Sequence, residues 1–136
     1  MNSYELPNII QSLLNYNLEL RNQKRDNVKN CIPPKLWTEQ FCTIRVDVGR
    51  QSGKSWYCAM SCDDSGVIIT TNRCLSTLHI SDRAICWKDI NRITQDSLNS
   101  IKYVFIEEPS FIGDLDDIYR YFTRDGIERT FILIGA

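Results

Sequence analysis

The sequence predicts an α/β domain, a three-layer sandwich with helices on both faces of a mostly parallel sheet. Two observations predict it. Short apolar, β-branched runs bounded by turn formers alternate with stretches of helical periodicity, the signature of strand–helix–strand units. The 136 residues, 43% hydrophobic and 24% charged, suit a single compact domain with one sizeable core.

The elements follow in order. Leu6, Ile9, Ile10, Leu13, Leu14 and Leu18 recur at spacings near 3.6 and predict an amphipathic helix over residues 4–20, with Pro7 tolerated in its first turn. Over residues 21–35 the periodicity stops and Arg21, Lys24, Arg25, Lys29 and Lys35 outnumber Asp26. This stretch, ending at Pro33-Pro34, reads as a solvated basic connector, so residues 1–35 stand before a core of residues 36–136. Strands are predicted over residues 42–48, 67–71 and 101–106 and at the end, 130–134, with a minor one at 83–87. Helices are expected over 55–62, 72–81 and 111–122, the last ended by Asp125-Gly126, and a short helical or loop segment over 90–98.

Sixteen Lys and Arg against seventeen Asp and Glu give a formal charge of -1. No general basic field exists, so any nucleic-acid contact needs a local patch; the connector is the best candidate for one. No apolar run reaches the ~18 residues that cross a bilayer. The start of the chain lacks the basic and apolar parts of a secretory signal, which leads us to expect a cytoplasmic protein with reduced thiols and no membrane partner.

The chemistry lies in the order strand, glycine loop, Lys-Ser, helix. The predicted strand runs directly into Gly49-Arg50-Gln51-Ser52-Gly53-Lys54-Ser55. Successive backbone amides curled at a helix start hold phosphates, and glycine permits the close approach. Lys54 then meets the terminal phosphates, and the Ser55 hydroxyl binds Mg²⁺. The usual spacing of such a loop wants glycine at Val48; here it comes one residue later. A second element supports the first. The apolar run Tyr103-Val104-Phe105-Ile106 delivers Glu107 and Glu108 to the carboxyl end of a strand, where parallel sheets bind ligands. One carboxylate can serve the metal's water shell and the other can polarise an attacking water.

The segment Val48-Gly49-Arg50-Gln51-Ser52-Gly53-Lys54-Ser55 resembles the phosphate loop of viral and phage large terminases, ATPases that pump DNA into capsids. They belong to the additional-strand, catalytic-glutamate class of P-loop NTPases. The resemblance implies ATP and Mg²⁺ as ligands, and Arg50 as an arginine finger in cis. It also implies Glu107 at the Walker B acidic position, Glu108 as the catalytic glutamate, and Gln40 as a reader of adenine. Residues 67–72 resemble the strand-plus-Asn segment of such ATPases, and residues 131–135 their sensor or coupling strand. Glu107 departs from the usual Asp. The length leaves no room for a terminase's nuclease domain, so a minimal ATPase core is expected, acting on DNA or RNA with a larger protein or as a homo-oligomer.

Other readings stay open. A small-molecule or nucleotide kinase would share the loop and needs lid arginines, for which Arg120, Arg124 and Arg129 are available. A non-catalytic nucleotide-binding regulator would keep the fold alone. Cys58, Cys62, Cys74 and His79 have a C-x3-C-x11-C-x4-H spacing that suits zinc. The competing reading, which we prefer, buries Cys58 and Cys62 one turn apart on a helix. Trp37, Trp56 and Trp87 are scattered and read as packing residues rather than as a base-stacking platform.

Overall fold

In a computed structural model of the chain, residues 5–47, 65–70 and 84–135 are described. They form five strands: β1 (Thr43–Val46), β2 (Gly66–Thr70), β3 (Ala84–Cys86), β4 (Tyr103–Glu107) and β5 (Thr130–Ile134). Their α-helices are α1 (Glu5–Lys24), α2 (Pro34–Phe41), α3 (Gln95–Ser100) and α4 (Leu115–Thr123). All four strand pairings are parallel, and the order across the sheet is β1-β5-β4-β2-β3. The α/β class is therefore as the sequence predicts.

Strand alternation sorts the core into two layers. One face carries Ile44, Val46, Ile68, Phe105, Ile132 and Ile134, packed with Ile10, Leu13 and Leu14 of α1. The other carries Val67, Ile69, Val104, Ile106, Phe131 and Leu133, covered by Leu98 of α3 and by Ile118, Tyr119, Tyr121 and Phe122 of α4. Both faces being covered explains why β2 and β5 are buried at every position and read as continuous apolar runs. Tyr119 stacks on Phe131 with centroids 4.3 Å apart, fixing α4 over the middle of the sheet.

Helix α1 is longer than its apolar periodicity. Leu18, expected on the buried stripe, is exposed, whereas Asn17 and Arg21 are buried. Their polar groups find partners at the sheet's amino edge: Asn17 Nδ2 donates to the Phe41 carbonyl (2.9 Å), and an Arg21 Nη donates to Asn17 Oδ1 (2.7 Å) and Thr130 Oγ1 (3.2 Å). Buried polar groups are tolerated when bonded in this way. The connector is correspondingly more structured than its composition suggests. A short 3-10 turn occupies Lys29–Cys31, and Pro34 opens α2 instead of breaking the chain, since its fixed φ suits a first helical position. Trp37 and Thr38 of α2 are buried, and the Thr43 hydroxyl at the start of β1 donates to the Thr38 carbonyl.

On the opposite side, a 3-10 helix (Trp87–Arg92) follows β3, and α4 begins at Leu115, after the Pro109–Phe111 turn. Asp114 caps α4 by accepting from the Asp117 amide (3.1 Å). Among the described residues no helix is long and apolar enough to cross a membrane. Cys42 is buried, and burial pushes its thiol up to about 11; Cys31 is exposed.

Candidate functional site

In a parallel sheet every strand presents its carboxyl end to the same edge, where unsatisfied backbone groups and loop residues gather. Here that edge carries Val46, Thr70, Glu107, Glu108 and Gly135. β5 stands between β1 and β4, so the ends of those two strands lie two strand spacings, roughly 10 Å, apart. The edge is tied across: the Glu108 amide donates to the Ile134 carbonyl and the Gly135 amide to the Val46 carbonyl, both at 2.8 Å.

The two acids differ sharply in setting. Glu107 is 2% exposed, on the face of β4 that also carries Phe105 and turns toward α1. Continuing the β2–β4 register by one step brings Thr70 opposite it. Thr70 lies on the face of Ile68, is fully buried, and its Oγ1 has no hydrogen-bond partner among the described residues. An unbonded buried hydroxyl costs ~1–3 kcal/mol, so it is a natural place for a further polar group to be bound.

Glu108 adopts a left-handed backbone (φ 52°, ψ 65°), unlike any other non-glycine residue described. Such a conformation costs of order 1–2 kcal/mol and persists where the surroundings impose it. Its carboxylate folds back over β5. An ideal Cβ built on Gly135, whose φ is +102°, would fall 2.7 Å from Glu108 Oε2 and 3.0 Å from Oε1. The missing side chain at Gly135 is therefore the seat of the Glu108 carboxylate, on the β1 side of β4.

Of the sequence-predicted site, Glu107 and Glu108 are brought together at this edge. Gly49, Arg50, Gln51, Ser52, Gly53, Lys54 and Ser55 lie outside the described residues, as do Asn72 and the candidate zinc set Cys58, Cys62, Cys74 and His79. Gln40 is exposed near the end of α2, at the amino edge of β1 and thus across the sheet from the acids. Among the described residues no cluster of three or more His, Cys, Asp or Glu could hold a metal by itself.

Three cations of the basic connector, Arg21, Arg25 and Lys29, converge on one carboxylate. Arg25 donates both Nη groups to Glu128 (3.0 and 3.1 Å), Trp37 Nε1 donates to the same carboxylate (2.9 Å), and Lys29 and Arg21 lie 3.3 and 3.5 Å from it. Glu128, in the loop before β5, thus draws α1, the connector and α2 together. Burial alone would raise its pKa; the bonds from Arg25 and Trp37 and the charge of Lys29 outweigh that and hold the carboxyl at about 2, against an ordinary 4.5. A depressed carboxyl contributes stability above its unfolded pKa and loses it as pH falls through the folded one. The linkage ceiling is about 3 kcal/mol. Solvent screening of this partly exposed group reduces it to about 1–2 kcal/mol. Acid unfolding of Glu128→Gln should therefore show lower stability than wild type at pH 7, with the gap closing between pH 4.5 and about 2. An unchanged gap at pH 2 contradicts the assignment.

Comparison of the chain with protein-family models, with curated proteins and with solved structures finds no match. The molecule is defined at this point as an all-parallel α/β domain with a buried acid and a strained one side by side at the carboxyl edge.

Proposed function

We propose that this chain is a Mg²⁺-dependent ATP-binding domain that hydrolyses ATP in the service of nucleic-acid processing. One observation carries the reading: Glu107 and Glu108 stand at the sheet edge where β1 ends, separated from it by β5 alone, and β1 leads directly into the glycine–Lys-Ser segment. A strand between the loop-bearing strand and the acid-bearing one is the arrangement that the name of the additional-strand class describes. It supports the resemblance independently of the loop residues.

In this reading Lys54 and the amides of residues 50–55 hold the phosphates, and Arg50 offsets charge developing in the transition state. Ser55 and Glu107 hold Mg²⁺. The fit is chemical: a hard cation takes oxygen donors, and the register sets the buried Glu107 opposite Thr70, whose hydroxyl has no hydrogen-bond partner among the described residues. Bound there, Mg²⁺ would neutralise charge on the phosphate oxygens. Glu108, less buried and seated over Gly135 toward β1, is the group to orient and deprotonate water. The kinase alternative draws less support, because Arg129 is 1% exposed and bonded to backbone carbonyls, so it is no lid residue.

Calorimetric titration with Mg-ATP, then a hydrolysis assay with and without single-stranded and duplex DNA, tests the proposal. Wild type should bind and turn over; Lys54→Ala should lose binding. Glu108→Gln should keep binding and lose turnover by roughly 10²–10⁴-fold, the usual worth of a general base. Wild-type hydrolysis in both variants overturns the roles. Tight binding with no hydrolysis under any condition supports the regulator instead.

A further inference from the structure

A second site lies away from the acid edge, on the α4 face of the molecule. Between the 3-10 helix Trp87–Arg92 and α4 is a cavity of about 610 Å³, within the usual range for a small-molecule site. Trp87, Ile90, Ile118 and Tyr121 give it an apolar, aromatic lining. The Trp87 ring is set by contact with a bare backbone: a Cβ on Gly113 would fall 2.6 Å from its Cη2. Its position is thus fixed before any ligand arrives, and pre-organisation of this kind favours binding.

The polar lining is graded along α4. Asp114 and Asp117 lie at the helix start, Arg120 and Arg124 toward its end, and Lys88 comes from the facing 3-10 helix. Arg120 is paired with Asp116 (3.0 Å). Lys88 and Arg124 have no carboxylate partner among the described residues; each instead lies over a ring, Lys88 Nζ 5.6 Å from the Trp87 centroid and the Arg124 guanidinium 4.3 Å from that of Tyr121. Two cations without a carboxylate partner beside the Trp87 ring, with carboxylates at the far end, define the ligand's chemistry. It has a flat ring to stack, an anion for Lys88 and Arg124, and N–H donors for Asp114 and Asp117. An acidic peptide would meet the two aspartates, and an inorganic anion would leave the rings unused.

We infer that this cavity binds a nucleotide unit with an amino-bearing base, adenine, cytosine or guanine, either free or as one residue of a single strand. The base stacks on Trp87, its exocyclic amine donates to the aspartate end, and its phosphate reaches Lys88 and Arg124, the latter held over the buried Tyr121 ring. The inference goes beyond the proposed ATP site and does not depend on it. It also revises the reading of Trp87 as a packing residue alone, since the fold brings Arg124 and the aspartates of α4 to the cavity that Trp87 and its neighbour Lys88 line.

The experiment uses the full chain carrying Lys54→Ala, which removes the phosphate-loop ligand, titrated with labelled dA, dC, dG and dT oligonucleotides and with AMP, CMP and GMP. Binding of at least one of the dA, dC and dG strands in preference to dT is expected. Lys88→Glu with Arg124→Glu should weaken it by tenfold or more and flatten its salt dependence by about one unit of slope per lost phosphate contact. Asp117→Asn should narrow the preference over dT while leaving the fold unchanged by circular dichroism. Oligonucleotides bound more tightly than AMP, CMP or GMP assign the site to single strands, and the reverse order assigns it to free nucleotides. Absence of binding by every probe overturns the inference, as does binding unaffected by the Lys88→Glu and Arg124→Glu pair.

Discussion

Replacement of Arg129 by alanine is expected to cost about 3–5 kcal/mol, the usual effect of removing one partner from a buried ion pair. The side chain is fully enclosed and every nitrogen is used. Nε donates to the Ile101 carbonyl (2.9 Å), one Nη to the Phe122 carbonyl (2.6 Å) and Asp125 Oδ1 (2.8 Å), the other to the Leu98 carbonyl and Asp125 Oδ2 (both 2.8 Å). Those carbonyls belong to α3, the turn before β4, and α4, so one guanidinium closes the carboxyl ends of two helices at the amino edge of the sheet. Alanine would leave three carbonyls without these bonds and Asp125 without its counter-charge. Lysine cannot repair this, because a single ammonium does not reproduce a planar fork with five donors. Against a domain stability of ~5–15 kcal/mol, a loss of this size lowers the melting temperature by roughly 10–20 °C or leaves the chain unfolded. Asp125→Asn should cost less, since the carbonyl bonds survive. Thermal melts of Arg129→Ala, Arg129→Lys and Asp125→Asn check the ranking. An Arg129→Lys melt close to wild type contradicts it.

Much of the sheet is legible in the sequence, because continuous apolar runs such as Val67-Ile68-Ile69 and Phe131-Ile132-Leu133-Ile134, alternating with helical stretches, suit strands covered on both faces, as in a parallel sheet. α4 is legible for the same kind of reason, with its aromatic and aliphatic residues at helical spacing. What stays hidden is set by distant partners. Asn17 and Arg21 look like solvent residues until Phe41 and Thr130 supply their bonds, and the latter is 109 positions from Arg21. Pro33-Pro34 reads as a break, although a proline at the first helical position starts a helix equally well. Glu128 gives no local sign that cations about a hundred residues earlier converge on it, so the connector's charges give no hint that three of them are paired. The acid pair is legible as a motif, but the interposed β5 and the glycine seat are not. Strand order and close backbone approach depend on long-range pairing, which periodicity does not encode.

Gly135→Ala is expected to leave the fold standing and to remove most ATP turnover. Two effects act at this position. The left-handed backbone at φ +102° strains any residue with a Cβ, at about 1–3 kcal/mol, which the domain can absorb. The new methyl also claims the space of the Glu108 carboxylate, 2.7 Å from Oε2. Of the two groups the carboxylate is the one that moves, since it ends a flexible side chain while Gly135 is bonded through its amide to Val46. On the proposed function, a catalytic carboxylate displaced by an ångström costs about 10²-fold in rate with little change in nucleotide affinity. A melting curve separates this from unfolding, and calorimetry separates it from loss of binding. The decisive comparison is a double-mutant cycle with Glu108→Gln. If Gly135 acts by seating Glu108, then adding Gly135→Ala to Glu108→Gln lowers turnover no further, because the group it positions has already lost its function. Full additivity of the two losses, or wild-type turnover in Gly135→Ala alone, would show that the seat has no part in the chemistry, while leaving the Lys54→Ala and Glu108→Gln tests of the nucleotide site untouched.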